Sequence, residues 1–149
     1  MTYLADVNVW IALAYDEHVH HETALEWFAT TKSDATLHQI TFCRVTEMGL
    51  LRLLTNTHVM RADVRSPAAA WAALHTFYQD PRVQFMAEPE GLEASWRIAT
   101  RHHYSGVNFW TDAYLSAFAE KAGYTLVTFD RGFRRYSGLK VEFLPTSHP

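Results

Sequence analysis

Tyr3-Leu4-Ala5-Asp6-Val7-Asn8-Val9-Trp10 is the stretch on which the fold turns. A short apolar run meets a carboxylate, and apolar residues then resume at helical spacing as far as Tyr15. That order reads as strand, turn and helix, with Asp6 at the strand's carboxyl end. The same grammar returns late in the chain, where the strand pattern of Thr125 to Thr128 runs into Asp130.

Between these two points the pattern keeps alternating. His20 to Thr31 reads as an amphipathic helix with Ala24, Leu25, Trp27 and Phe28 on its apolar side, and Thr36 to Ile40 as a second strand. Thr41 to Leu54 reads as a helix, apolar almost all round after Glu47, as expected of one packed on several sides. Asn56 to Arg65 reads as a loop, and Ser66-Pro67 supplies an N-cap and first-position proline for a helix through Tyr78.

Val83 to Met86 is a third strand and Leu92 to Arg101 a helix. Phe109 to Ala122 is a strong helix with Trp110, Ala113, Tyr114, Ala117 and Phe118 along one face, ended by Gly123. Val141 to Leu144 is the last strand. Strands alternating with helices predict an α/β fold, a three-layer α/β/α sandwich on a five-stranded parallel sheet, with residues 1–149 as one domain.

Bulk properties agree with a packed domain. The 149 residues are 48% hydrophobic and 19% charged, with 5 Trp, 7 Tyr and 9 Phe, enough apolar surface for a core without staples. The single Cys43 rules out an intrachain disulfide and suits a reducing compartment; its neighbours indicate no partner for a catalytic thiol. The longest apolar run, Val9 to Tyr15, is far short of a membrane span, so a cytoplasmic protein is expected. Net charge is -3 and the pI about 6.3, which excludes inferring a nucleic-acid partner from overall charge. Basic residues do gather locally, Arg97, Arg101, His102 and His103 in one stretch and Arg131, Arg134 and Arg135 in another. A solvated mixed-charge surface explains either group equally well.

Four acids are the candidates for chemistry. Ligands of open parallel sheets bind beyond the strand carboxyl ends, where Asp6 and Asp130 stand, although turns and N-caps also favour Asp. Glu47 interrupts an apolar helix, so it must face a site or pair with a cation such as Arg44 three residues earlier. Asp112 sits in the first turn of its helix, where the macrodipole also favours a carboxylate. If the four converge, they cannot all stay ionised without a counter-charge, because two carboxylates 4 Å apart repel by about 4 kcal/mol at an effective dielectric of 20. Hard oxygen ligands without His or Cys favour Mg²⁺, with Mn²⁺ as a substitute, and point to phosphodiester chemistry.

Leu4-Ala5-Asp6-Val7-Asn8-Val9-Trp10, Arg44-Val45-Thr46-Glu47, Thr111-Asp112-Ala113-Tyr114-Leu115 and Val127-Thr128-Phe129-Asp130 resemble, in order and spacing, the four acidic motifs of PIN-domain ribonucleases. The VapC-type toxins of type II toxin–antitoxin pairs are the nearest match. The resemblance covers Tyr3 to about Leu144. It implies a five-stranded parallel sheet and an Mg²⁺-dependent endoribonuclease toxin with Asp6, Glu47, Asp112 and Asp130 as catalytic and metal-binding quartet. It further implies supporting roles for Asn8 and Thr128, a homodimer, and a cognate antitoxin lying in a hydrophobic groove near the acids. Trp10, Trp27 and Phe28 are candidates for that groove, with core packing as the other reading. Arg101, His102, His103 and Arg131 are the candidate RNA contacts.

Rival readings fit less well. No serine has a Gly-x-Ser-x-Gly setting, against an acyl-transfer hydrolase. A phosphotransferase of the haloacid-dehalogenase kind expects a second Asp where Asn8 stands. His18, His20 and His21 lack the i,i+4 spacing of helical zinc ligands and read as structural or groove-lining. A catalytically silent PIN-like module that grips RNA or protein remains the alternative.

Overall fold

The computed structural model describes residues 1–31 and 38–146. Five parallel strands, β1 (Thr2–Ala5), β2 (Gln39–Phe42), β3 (Val83–Phe85), β4 (Thr125–Thr128) and β5 (Val141–Phe143), form one sheet in the order β3-β2-β1-β4-β5. The chain moves outward from β1 to β2 and β3, then returns to β4 on the other side of β1. That reversal puts a crevice at the carboxyl ends of β1 and β4, where Asp6 and Asp130 emerge.

Strand alternation fills both faces. Tyr3 and Ala5 join one core cluster with Ile40, Phe42 and Val127, while Leu4 and Leu126 join the other. The first cluster is closed by α1 (Val7–Ala14), α2 (His21–Thr30), α3 (Arg44–Leu54) and α5 (Pro67–Tyr78), the second by α6 (Leu92–Ala99) and α7 (Phe109–Ala122). This is the three-layer α/β/α sandwich read from the alternation. Among the described residues, no helix is long and apolar enough to cross a membrane.

Punctuation residues behave as their chemistry requires. Ser66 Oγ accepts from Ala69 N–H at 3.2 Å with Pro67 in the first turn, and Gly123 ends α7 at φ 73°, a backbone position that suits glycine. Asp6 caps α1 by accepting from Val7 N–H at 2.7 Å.

Several expectations are corrected. Thr41 and Phe42 belong to β2, not to the helix, because Gln-Ile-Thr-Phe is a β-branched and aromatic run whose Thr41 hydroxyl donates to Tyr3 O at 2.8 Å. The helix begins after Cys43, whose N–H is taken by Thr46 Oγ1 at 2.9 Å. Of the expected strand Thr36 to Ile40, residues 36 and 37 lie outside the described residues. The stretch expected as a loop contains α4 (Thr57–Met60) and a 3₁₀ turn over Arg61–Asp63; Asn56 caps His58 N–H at 2.8 Å and Met60 plugs the core. Trp10 and Trp27 are buried and Phe28 packs on the same core, the core-packing reading, and none of the three lines the cavity at the acids. Leu25 and Trp110, expected on apolar faces, are exposed; α7 is buried nearly all round from Ala113 to Ala119, and Trp110 projects beyond it.

Candidate active site

Asp6 is buried, and both its oxygens are held. Oδ1 takes the Val7 N–H, and Oδ2 takes the Thr128 hydroxyl at 2.8 Å. Thr128, the last residue of β4, is itself fixed: its Oγ1 accepts from Asn8 Nδ2 at 3.2 Å and from Asp130 N–H at 3.0 Å. Asn8 closes the loop by accepting from Phe129 N–H at 3.3 Å through Oδ1. Residues about 120 positions apart in sequence are thus tied across the β1–β4 crevice. Asn8 and Thr128, singled out as supports, occupy the centre of this network.

Asp130 begins the turn after β4 and accepts Gly132 N–H at 2.8 Å through Oδ1; its side chain is otherwise open to solvent. Asp112, in the first turn of α7, receives among the described residues only a long 3.5 Å contact from the Tyr104 hydroxyl, which in turn meets Tyr136 OH at 3.2 Å. Asp6, Asp112 and Asp130 line one cavity of about 510 Å³. Asn8, Asn108, Thr111, His18 and Arg52 supply the rest of its polar wall, and Ile11, Val45, Met48, Leu53, Val59 and Leu115 much of its apolar one.

The electrostatics follow from that crowding. Burial pushes the Asp6 carboxyl up to about 6, resisted by the Thr128 and Val7 hydrogen bonds and reinforced by Asp130. Burial followed by the charges of Asp6 and Asp130 pushes Asp112 up to about 7, resisted by Tyr104 and Arg135. Three carboxylates from distant segments therefore feel one another, and two of them hold their protons to higher pH than an ordinary carboxylate.

Glu47 stands apart. Its Oε1 takes Arg44 Nη1 at 2.7 Å, its Oε2 takes the Tyr78 hydroxyl at 2.7 Å, and it does not line the cavity. The pocket face of α3 is instead Val45, Met48, Gly49 and Arg52. Helical geometry gives the reason, since a residue two positions after Val45 points to the opposite side. The pairing with Arg44, one of the two sequence readings, is the one the structure has.

The candidate RNA contacts divide. Arg101, His102 and His103 are exposed on the loop after α6, with His103 against Phe109. Arg131 is occupied: Nη1 donates to Phe129 O at 3.2 Å and Leu144 O at 3.0 Å, and its guanidinium lies over Phe143. Gly49, Arg52 and the apolar wall of α3 in the pocket, and Tyr104 beside Asp112, escaped the sequence reading. Gly49 carried a signal, because an isolated glycine in a helix often marks a close approach. A Cβ there would sit 2.5 Å from Val7 Cγ2, so glycine lets α3 press against the residue after Asp6.

Comparison with known proteins places this geometry in a family. A PIN domain model matches residues 3–139. Ribonuclease VapC41 of Mycobacterium tuberculosis is 42% identical over 145 residues, 95% of this chain and 97% of its own. Ribonuclease VapC38 of the same organism is 36% identical over 136 residues, 87% and 85% of the two chains. Among solved structures, Mycobacterium tuberculosis VapC20, described as a sarcin-ricin loop cleaving toxin, superposes with TM-score 0.68 at 23% identity, covering 96% of this chain and 99% of its own. VapBC2 from Rickettsia felis, bound to a promoter DNA fragment, superposes with TM-score 0.67 at 15% identity over 97% and 100%. With a domain model that spans residues 3–139, all three cavity acids among them, and a relative this similar along almost its full length, the chain belongs to the PIN-domain family, among its VapC-type members.

Proposed function

We propose that this chain is a metal-dependent endoribonuclease, the toxin of a toxin–antitoxin pair acting in the cytoplasm, and that Asp6, Asp112 and Asp130 hold its Mg²⁺, for which Mn²⁺ can substitute. The observation that carries the reading is the gathering of three carboxylates from remote segments into one cavity, two of them with raised proton affinity. Ribonuclease names among full-length relatives support the substrate class.

The donor set fits a hard cation. Among the described residues, no three acidic, histidine or cysteine side chains close into a tight chelate, and Asp6 and Asp130 each spend oxygens on protein donors. Such a loose site suits Mg²⁺, which takes one or two carboxylates and keeps its remaining positions for water and phosphate oxygens. Bound there, it would lower the pKa of an attacking water and neutralise charge on the phosphoryl group. Thr128 and Val7 N–H aim the Asp6 carboxylate, and Asn8 fixes Thr128. Asp112, less constrained, can adjust to the ligand. Glu47 is outside this arrangement; it braces α3 against α5 through Tyr78.

A cognate antitoxin is the proposed partner, since similar solved structures are VapBC and FitAB assemblies. The apolar wall of Val45, Met48, Leu53 and Val59 beside the acids offers a seat for an antitoxin segment. A homodimer is proposed on the same resemblance.

Purified protein is expected to cut RNA with Mg²⁺ or Mn²⁺, to stop with EDTA, and to be inactive as Asp6→Ala. Unchanged cleavage by that variant would refute the reading. A silent RNA- or protein-binding module is the second reading, favoured only by the exclusion of Glu47 from the pocket. Calorimetry separates the two: a silent module shows no Mg²⁺ heat dependent on Asp112.

A further inference from the structure

The three histidines between α1 and α2 do three different things. His21 places Nδ1 2.6 Å from Ala12 O and so locks the start of α2 to α1. His20 stacks on Phe129, ring centroids 4.6 Å apart, and its Nδ1 is buried with no partner among the described residues. His18 is half-buried and lines the same cavity as Asp6, Asp112 and Asp130.

Its orientation is over-determined. His18 N–H donates to Tyr15 O at 3.0 Å, its carbonyl accepts His21 N–H at 3.0 Å, and its Nδ1 accepts His20 N–H at 3.0 Å. A ring nitrogen that accepts a hydrogen bond carries no proton, so in the neutral ring the proton is on Nε2. Burial, followed by the neighbouring His20 and His21, lowers the His18 pKa, which keeps the ring neutral at pH 7. A neutral imidazole with both nitrogens used in this way has no lone pair left for a metal.

The cavity has a use for such a donor. Three carboxylates, one divalent cation and Arg52 sum to a formal charge of about 0, so an arriving phosphodiester makes the cavity about -1, and its oxygens are seated best by N–H groups on the wall. His18 and Arg52 are the basic side chains that line it. We propose that His18 Nε2–H donates a hydrogen bond to a phosphodiester oxygen of RNA bound in the acidic cavity, making His18 a substrate-seating residue and not a metal ligand. This rests on the ribonuclease reading and assigns a group to its substrate side.

The test combines two measurements on His18→Phe, which keeps a ring but no donor, and His18→Gln, whose amide nitrogen can replace Nε2. Long-range ¹H–¹⁵N spectra of the wild-type histidines should show the Nε2–H tautomer for His18; the Nδ1–H tautomer overturns the proposal. Fluorescence anisotropy with a short single-stranded RNA of mixed sequence, using Ca²⁺ to hold it uncut, should show binding weakened about tenfold or more in His18→Phe and restored to within about threefold in His18→Gln. Equal binding by His18→Phe and wild type, or equal weakness of both variants, overturns it. Calorimetric Mg²⁺ affinity should be unchanged in His18→Phe, and its loss would make His18 a ligand after all. Absence of metal-dependent RNA binding by the wild type would sink the ribonuclease reading itself, an outcome distinct from failure of the His18 variants alone.

Discussion

The two sides of the acidic cavity are built to different standards. On the strand side, Asp6 is buried, both of its oxygens are bonded at 2.7 and 2.8 Å, and Thr128 behind it makes contacts to Asn8 and Asp130. On the α7 side, Asp112 is half-exposed and accepts a long 3.5 Å contact from Tyr104, on a loop whose neighbours are open to solvent. One carboxylate is fixed by the sheet, and the other can follow what binds. Preorganised groups supply orientation at no cost during reaction, and an adjustable partner accommodates a substrate.

Breaking the rigid side should have the largest effect. Asp6→Asn is expected to reduce Mg²⁺-dependent RNA cleavage by at least about a hundredfold, the scale of losing a catalytic electrostatic contact. It should also leave the metal-free fold intact or more stable, because a buried charge is gone; a Thr128→Val variant should lose activity in the same direction. Cleavage assays and thermal unfolding check both.

Next is the proton inventory. Asp6 and Asp112 have folded-state pKa values of about 6 and about 7, above their ordinary 3.8, so between those values the unfolded chain has released protons that the folded chain still holds. Stability contributed by the protonated carboxyls is present at the acid end of that window and lost as pH rises through 7. Asp6 alone accounts for roughly 2–3 kcal/mol by the linkage slope. Denaturant titrations of metal-free protein at pH 4 and 8 should show this loss, and saturating Mg²⁺ should reverse it at the higher pH.

Gly49→Ala sharpens the comparison from behind the rigid side. Its Cβ would meet Val7 Cγ2 at 2.5 Å, which should cost about 1–3 kcal/mol of overpacking and shift the residue that holds Asp6 Oδ1. Glu47→Gln should cost less, about 1–2 kcal/mol for weakened bonds to Arg44 and Tyr78, with Mg²⁺ affinity unchanged. Loss of Mg²⁺ binding in that variant would mean Glu47 belongs to the site. Tyr104→Phe, on the loose side, should change stability by less than about 0.5 kcal/mol, measured by urea unfolding.

Much of this was legible in advance, and the failures are instructive. The alternating strand and helix patterns revealed the layers, because apolar periodicity is a local property of the chain. Ser66-Pro67 and Gly123 marked their helix ends, because capping and φ preferences act within a few residues. Thr41 and Phe42 were misassigned because an apolar run entering a helix has no internal marker for where the strand stops. Of the four acids read as converging, Asp6, Asp112 and Asp130 line one pocket and Glu47 does not; residue type and spacing in sequence do not separate it from them.

What the chain order determined was the alternation of strands with crossover helices, hence a parallel sheet, and the presence of carboxylates at strand ends and helix starts, since apolar periodicity, connection type and capping are all read along the chain. Only the tertiary structure decided which acids share a cavity, that Glu47 faces Tyr78, and that His18 faces the site while His20 and His21 brace the loop. Those outcomes depend on the rotation of each helix about its axis and on how closely α3 approaches Val7, which are set by packing between elements far apart in sequence.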